Sequence, residues 1–476
     1  MTQSTRVEHD LIGDRAVPAD AYYGVHTLRA LENFPITGTS ISIYPDLVAA
    51  LACVKQAAAI ANSELGLLDD GRSRAIRLAC EEVRGGRLLE HFVVDVIQGG
   101  AGTSTNMNAN EVIANRALEL LGHRKGEYQH LHPLDHVNLS QSTNDVYPTA
   151  VKLALQLGIR RLVLELVHLR KAFEEKAVEF NSVLKVGRTQ LQDAVPMTLG
   201  QEFSAYAVTI GEDEQRLAEA ASLIREINLG ATAIGTGINA HPDYAALVTT
   251  RLAEISGVAF VVSPNLVEAT QDAGAFVQLS GVLKRVAVKL SKTCNDLRLL
   301  SSGPRAGIGE IALPAVQAGS SIMPGKVNPV IPEVVNQIAF EVIGNDITVT
   351  MAAEAGQLEL NAFEPVIAHS LFKSLAHLAA GCRTLADRCV KGIQANVERS
   401  RRLLDESTAL VTALNPFIGY ARASEIAQEA LRTNARVYDL VLAKGYMTRE
   451  QLDAILKPEV LTKTHYSTVH KPRSEP

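Results

Sequence analysis

Two serines, a lysine and an asparagine fall within eleven residues in GSSIMPGKVNP, Gly319 to Pro329, together with two glycines and two prolines. No histidine stands beside them. Three other segments are rich in the same groups: QGGAGTSTNMNANE with Thr103, Ser104, Thr105 and Asn106, NLSQSTNDVYPT with Ser142, Thr143 and Asn144, and KVGRTQLQDAVPMTLGQ with Thr189 and Gln190. Added to Ser320, Ser321, Lys326 and Asn328, these make a ring of neutral donors around one cation. Such a set suits a small anion with two ends, a lysine and amide for one carboxylate and neutral donors for the other. Neutral donors matter because a carboxylate that turns into a doubly charged aci-form during proton abstraction is met by hydrogen bonds that strengthen as the charge develops. A serine becomes a useful base only in a dry, donor-rich place, which a closing loop supplies. Gly303, Gly307, Gly309, Gly319 and Gly325 give the 303–330 segment the freedom to close.

These polar segments are connections on a scaffold, where most binding groups are carried. From Pro148 to about Phe180 the apolar positions Leu153, Leu157, Val163, Leu166, Leu169 and Phe173 predict a long helix, with Pro148 in its first turn. Further helices are expected from about Glu202 to Ile227, from Asp272 to Leu300, and after Pro332 toward Val349. Unbroken helices of this length mean a bundle. Asn144 lies before the first of them and Thr189 after it, so about thirty residues of straight helix would part the two by roughly 45 Å. Either the loops serve separate purposes, or antiparallel chains bring opposite ends together in a closed oligomer. LNPFIGY, Leu414 to Tyr420, reads as a break before a short helical stretch, and the tail THYSTVHKPRSEP as frayed.

Composition narrows the classes. The 476 residues exceed one ordinary core, aromatics are 5% and tryptophan is absent, which suits close helix packing. A charged fraction of 21% and a net charge of −6 carry no signature of a nucleic-acid or membrane surface, so a small partner is expected. Cys53, Cys80, Cys294, Cys382 and Cys389 form no Cys-x-x-Cys pair and read as reduced, buried thiols. The start, MTQSTRVEHDLIGD, lacks the apolar core of a secretory signal, so a cytoplasmic protein is expected. GTGINA, Gly235 to Ala240, matches a dinucleotide pattern but follows a helical run. His123, His130, His132 and His136 have no usual zinc spacing and read as a polar surface loop. There is no Walker A motif and no Gly-x-Ser-x-Gly elbow.

GSSIMPGKVNP resembles the signature of the fumarase/aspartase superfamily. GAGTSTNMNANE, QSTND and GRTQLQDAVPMTLGQEF resemble its other regions in the right order, and the resemblance runs from VPADAYYGVHTLRALENF to LNPFIGY. Within the superfamily the chain is most similar to the ammonia-lyases that interconvert L-aspartate with fumarate and ammonia. The resemblance implies an all-α, three-domain subunit with boundaries at 1–141, 142–397 and 398–476. It also implies a homotetramer whose central long helices form a twenty-helix core, each active site drawing on three chains, with no cofactor and no metal. Ser320 is similar to the base that takes the Cβ proton, with Ser321 beside it as a donor to the β-carboxylate. Thr103, Ser142 and Thr143 match residues holding that carboxylate and its aci-form. Thr189, Lys326 and Asn328 match contacts to the α-carboxylate, and Asn144 one near the amino group.

One position departs from many relatives: Gln190 stands where fumarases and some aspartases carry a histidine, which in fumarases is partnered by a glutamate at the position of Glu333. Glutamine hydrogen-bonds an amino group or carboxylate but does not titrate near neutrality, so a histidine-centred relay is not available. This weighs against the alternative of a class II fumarase, in which GTQSN and QSSND would be expected. A helical scaffold that kept the fold and lost the reaction is the third reading. Against it, every motif position needed for chemistry retains a competent side chain.

Overall fold

Helix takes most of the chain in the computed structural model, which describes residues 4–462. The polar tail from Thr464 lies outside the described residues. In chain order the elements are β1 (Thr5–Asp10), β2 (Gly13–Pro18), α1 (Val25–Asn33), α2 (Pro45–Glu64), α3 (Asp70–Arg84), α4 (Thr103–Leu120), α5 (Thr143–Glu179), β3 (Leu184–Thr189), β4 (Gln192–Thr198), α6 (Leu199–Leu223), β5 (Glu226–Ile227), α7 (Tyr244–Ser256), β6 (Val261–Val262), α8 (Leu266–Gln271) and α9 (Gly274–Leu300). There follow β7 (Ile311–Ala312), α10 (Val330–Glu354), α11 (Glu364–Arg388), β8 (Gln394–Ala395), α12 (Val397–Glu406), α13 (Ala409–Ile418), α14 (Tyr420–Thr433), α15 (Val437–Ala443), α16 (Arg449–Ile455) and α17 (Pro458–Leu461). Among the described residues the strands form only two-stranded pairs, so the fold is all-α in class.

The expected helices are present with shifted ends. Helix α5 begins at Thr143, which places Pro148 inside the helix and not in its first turn. A proline there removes the N–H that would reach the carbonyl of Asn144. That carbonyl instead accepts from Asn228 Nδ2 at 3.0 Å, which is why the helix tolerates the ring. The second expected helix stops at Leu223, and Glu226–Ile227 pair in parallel with Val261–Val262. A parallel pair of two residues is no Rossmann sheet, so Gly235 to Ala240 remain a loop before α7. The break expected at LNPFIGY falls at Gly419 alone: α13 runs through Pro416 to Ile418, and Gly419 turns the chain at φ +83°.

The chain divides into two compact units. The first comprises the residues up to Leu164 with Gln215–Ala287 and Phe340–Ala379. Its centre is the alanine-rich α2, which buries Leu51, Val54, Ala57, Ala58 and Ala61 and packs against α3 and α7. Small side chains let helix backbones approach closely, which is what the alanine excess provides. The second comprises Glu165–Glu214, Val288–Ala339 and the residues from Ala380 onward. Its core gathers Leu404, Leu414, Ile426, Val441 and Leu452 of the C-terminal helices around Leu184 and Val186 of β3.

Candidate active site

The predicted residues gather in two sets, one in each unit. The first set forms where α4 and α5 begin. Ser142 caps α5: its Oγ accepts the Asn144 N–H at 3.3 Å, while Asp145 Oδ1 accepts the Ser142 N–H at 3.0 Å. The carboxylate of Asp145, third in the helix, thus supplies the returning half of a capping box, while Ser142 Oγ caps the second N–H and not the third. The second carboxylate oxygen of Asp145 takes the N–H groups of Gly230 and Thr232, both at 3.1 Å. Burial nevertheless raises the Asp145 carboxyl, against those backbone donors and Lys55.

Lys55 is buried in α2, and its Nζ donates to Asn138 Oδ1 and Gln141 Oε1, both at 2.9 Å. Burial pulls its ammonium down, with Asp145 opposing. Asn106 Nδ2 donates to Asn138 Oδ1 at 3.2 Å and to Thr143 Oγ1 at 3.1 Å, and so ties the first turn of α4 to the first turn of α5. Thr103 opens α4 and donates its hydroxyl to Gly100 O at 2.7 Å. Asn144 Nδ2 is occupied by Ala233 O at 2.7 Å. Two helix N-termini, each the positive end of its dipole, thus meet at Thr143, a ready place for a carboxylate.

The run of amides in TSTNMNAN, read as a loop, is helical because its amides have inward partners. Asn108, for example, accepts the Val93 N–H at 3.0 Å and donates to His91 O at 2.9 Å. Three residues of this set were not foreseen: Lys55, Asn138 and Asp145. Their signals exist, a lone lysine in the apolar run LVAALACVKQAAAIAN and the Ser-x-x-Asp spacing of the cap.

The second set contains the loop and a hairpin. Ser320 Oγ accepts the N–H of Ile322 at 3.2 Å and of Met323 at 2.9 Å. Two backbone donors on one hydroxyl oxygen favour negative charge there. The loop closes on itself: the Gly319 N–H donates to Lys326 O at 2.8 Å, and Asn328 Nδ2 to Gly319 O at 2.7 Å. A Cβ at Gly319 would lie 2.4 Å from Lys326 O, so only glycine fits. Ser321 and Lys326 are exposed, and so are Ile322 and Met323 at the tip, with Ile322 at 82%. Asn328 leads directly into α10, whose first turn carries Glu333.

Thr189 pairs with Gln192, closing β3 and β4 with the two-residue turn Gln190-Leu191 at φ +54° and +62°. A turn with two left-handed residues normally carries glycine or asparagine, so Gln190 is held in a costly conformation. Beneath it, Arg188 pairs with Glu310 at 2.9 Å, and Lys185 bridges Glu310 at 3.2 Å and Glu202 at 2.8 Å. Arg399 and Asn396 hold the carbonyls of Gly307, Ile308 and Gly309 at 2.9, 3.0 and 2.7 Å. The 303–330 segment is therefore anchored at 307–310 and exposed around its tip.

The family described as Lyase matches residues 13–344, and the one described as Fumarase C C-terminus matches residues 410–463. The chain belongs to this lyase family. The lyase is 60% identical over 457 residues to a Pseudomonas fluorescens protein named aspartate ammonia-lyase, covering 96% of each chain. It is 56% identical over 466 residues to the aspartate ammonia-lyase of Helicobacter pylori strain J99, covering 98% of this chain and 100% of that one. Among solved structures, the fumarate lyase:delta crystallin from Brucella melitensis bound to cobalt superposes with a TM-score of 0.93 at 58% identity, covering 96% of this lyase and 99% of that chain. Among its described residues, no helix of the lyase is long and apolar enough to cross a membrane.

Proposed function

We propose that this lyase is an aspartate ammonia-lyase, a carbon–nitrogen lyase that reversibly eliminates ammonia from L-aspartate to give fumarate. The observation that carries the reading is its identity of 54–60%, over nearly the whole chain, to proteins of that name. The site chemistry supports it. In the proposed reaction Ser320 takes the Cβ proton, the electron pair passes into an aci-carboxylate, and the C–N pair then leaves with ammonia as the double bond forms. The two N–H groups on Ser320 Oγ stabilise the alkoxide that the step requires. Thr103, Ser142 and Thr143, at the paired helix N-termini, hold the β-carboxylate with Ser321, where donors and dipoles favour its second negative charge. Thr189, Lys326 and Asn328 take the α-carboxylate. Asn144 and Gln190 face the amino group, which is already protonated as –NH3+ and so departs as neutral ammonia without a titrating side chain to protonate it.

The same proposal includes a cytoplasmic homotetramer with active sites shared between subunits. Helix α5, at 37 residues, is about 55 Å long, which strengthens the argument that its two ends serve different sites. Phe340, Ile347 and Met351 lie at i, i+7 and i+11 on α10 and are 63%, 58% and 67% exposed, an apolar stripe that suits a neighbouring copy. Five helices exceed twenty residues, α5, α6, α9, α10 and α11, and four copies would supply a twenty-helix core. All five fall within 142–397, in keeping with a three-domain division at 1–141, 142–397 and 398–476.

A class II fumarase is the alternative, and Gln190 argues against it. The deciding experiment follows fumarate absorbance when L-aspartate is added to purified protein, with L-malate and argininosuccinate in parallel. Rapid release from aspartate alone is expected. Release from malate would overturn the reading in favour of a hydratase, and silence from all three would favour a scaffold.

A further inference from the structure

The histidine-rich stretch after α4 takes no part in the proposed reaction, yet it folds into an arrangement that its spacing did not foreshadow. Gly122 ends α4 at φ +85°, and the His123 N–H returns to Leu118 O at 2.9 Å. Gly126, at φ +82°, donates its N–H to Asn115 Oδ1 at 2.8 Å. The His130 N–H reaches Glu127 O at 3.1 Å, while Arg72 Nε holds His130 O at 2.7 Å. The backbone is thus pinned before, within and after the loop. Its consequence is that the His123 and His130 rings lie face to face, with centroids 3.8 Å apart and planes 4° from parallel. Glu127 Oε2 stands 3.8 Å from His123 Nδ1. One ligand atom from each of His123, Glu127 and His130 lies within 4.8 Å of the other two.

We propose that His123, Glu127 and His130 form a binding site for one divalent transition-metal ion of borderline softness, of the class of Zn²⁺, Co²⁺ or Ni²⁺. Two imidazoles and one carboxylate are the donors such ions take, at about 2.0–2.2 Å each, with solvent completing the coordination. Magnesium and calcium prefer oxygen donors throughout, which the two imidazoles do not offer. The remaining approach requires one ring to leave the stack: His130 is exposed, so its imidazole can turn away from His123 to aim a nitrogen at the ion, and Glu127 is a long side chain. Arg124 does not bar the ion. Its guanidinium lies on Glu127 Oε1 at 2.9 Å and its backbone N–H on Oε2 at 3.0 Å, so both orient the carboxylate and leave lone pairs for the metal. The Arg124 side chain is 90% exposed, so its ion pair is weak in water and opposes binding little. A bound ion would clamp the loop between the end of α4 and His130. The site uses none of the residues assigned to the proposed reaction and stands whether or not that reaction does.

The test uses the full-length protein stripped of metal. Zn²⁺ is titrated by calorimetry, and Co²⁺ is followed by its visible absorption, in wild type, His123→Ala, His130→Ala and Glu127→Gln. One saturable Zn²⁺ site per chain is expected, with a rise in melting temperature on saturation. Either histidine variant should weaken it by more than the roughly 10- to 100-fold that losing a supporting partner costs. His130→Ala alters an exposed side chain, and circular dichroism matching wild type separates lost ligation from lost fold. Absence of saturable Zn²⁺ binding would overturn the proposal, as would unchanged affinity in both histidine variants. Displacement of Zn²⁺ by millimolar Mg²⁺ would overturn the assignment to borderline ions.

Discussion

Ser320 Oγ receives the backbone N–H of Met323 at 2.9 Å, so the hydroxyl proposed to act as base already points its lone pairs at the donors an alkoxide needs. Replacing Ser320 by alanine keeps the loop backbone and deletes only the oxygen. Fumarate formation from L-aspartate should then fall by about 10²- to 10⁴-fold, the range for a positioned base. Succinate, which has no ammonia to lose, should bind as before. Steady-state turnover with calorimetric succinate binding checks both, and turnover close to wild type would remove Ser320 from the role.

Gln190 sits at φ +54° at the tip of the β3–β4 hairpin, a conformation that glycine adopts without penalty. Gln190→Gly should therefore raise the urea midpoint, by a net gain of up to about 1 kcal/mol once the looser unfolded chain is counted. Activity should move the other way, because the amide proposed to face the amino group is gone. A variant both more stable and fully active would show that the strained side chain has no part in the reaction.

Glu364, at the start of α11, is buried, and burial raises its carboxyl to about 8 against the opposing pull of Lys152. Its unfolded value is near 4.5, so between pH 4.5 and 8 the native state holds more protons than the unfolded one. Stability from this group is full below pH 4.5 and is lost as the pH rises through 8, with a slope of at most about 1.4 kcal/mol per pH unit. Glu364→Gln removes the titration. The melting temperature of the variant minus that of wild type should grow steadily from pH 5 to pH 8, and parallel curves would refute the assignment.

Much of the architecture was legible because long apolar periodicity is a strong signal: α5, α9 and α10 lie where Leu153, Leu166, Val335 and their neighbours place them. The errors share one physical origin, polar groups whose partners are distant in the sequence. Pro148 looks like a helix start until Asn228 supplies the missing donor to Asn144 O, 84 residues away. Asn106 to Asn110 look like a loop until the side-chain oxygen of Asn138 collects Asn106, Asn110 and Lys55. The GSSIMPGKVNP loop was readable in place and composition, but the pair of N–H groups on Ser320 follows from backbone geometry that no residue type specifies. His123, Glu127 and His130 needed the turns at Gly122 and Gly126 before their spacing meant anything.

Thr143 opens α5 and Glu179 ends it, about 55 Å along the axis, and this length underlies the proposal that one active site takes its groups from several subunits. Two variants test that directly. Thr143→Ala removes a hydroxyl from the paired helix N-termini, and Ser320→Ala removes the proposed base; each alone should be nearly inactive. When the two are dissociated, mixed in equal amounts and reassembled, the proposed shared-site tetramer would yield hybrids in which an intact Thr143 from one variant meets an intact Ser320 from the other. If these two residues of a site come from different subunits, random assembly restores about a quarter of the sites. If one subunit supplies both, every site in every hybrid keeps one lesion, and the mixture stays as inactive as its parents. Recovery should track the formation of mixed tetramers, and its absence after verified exchange would sink the shared-site reading.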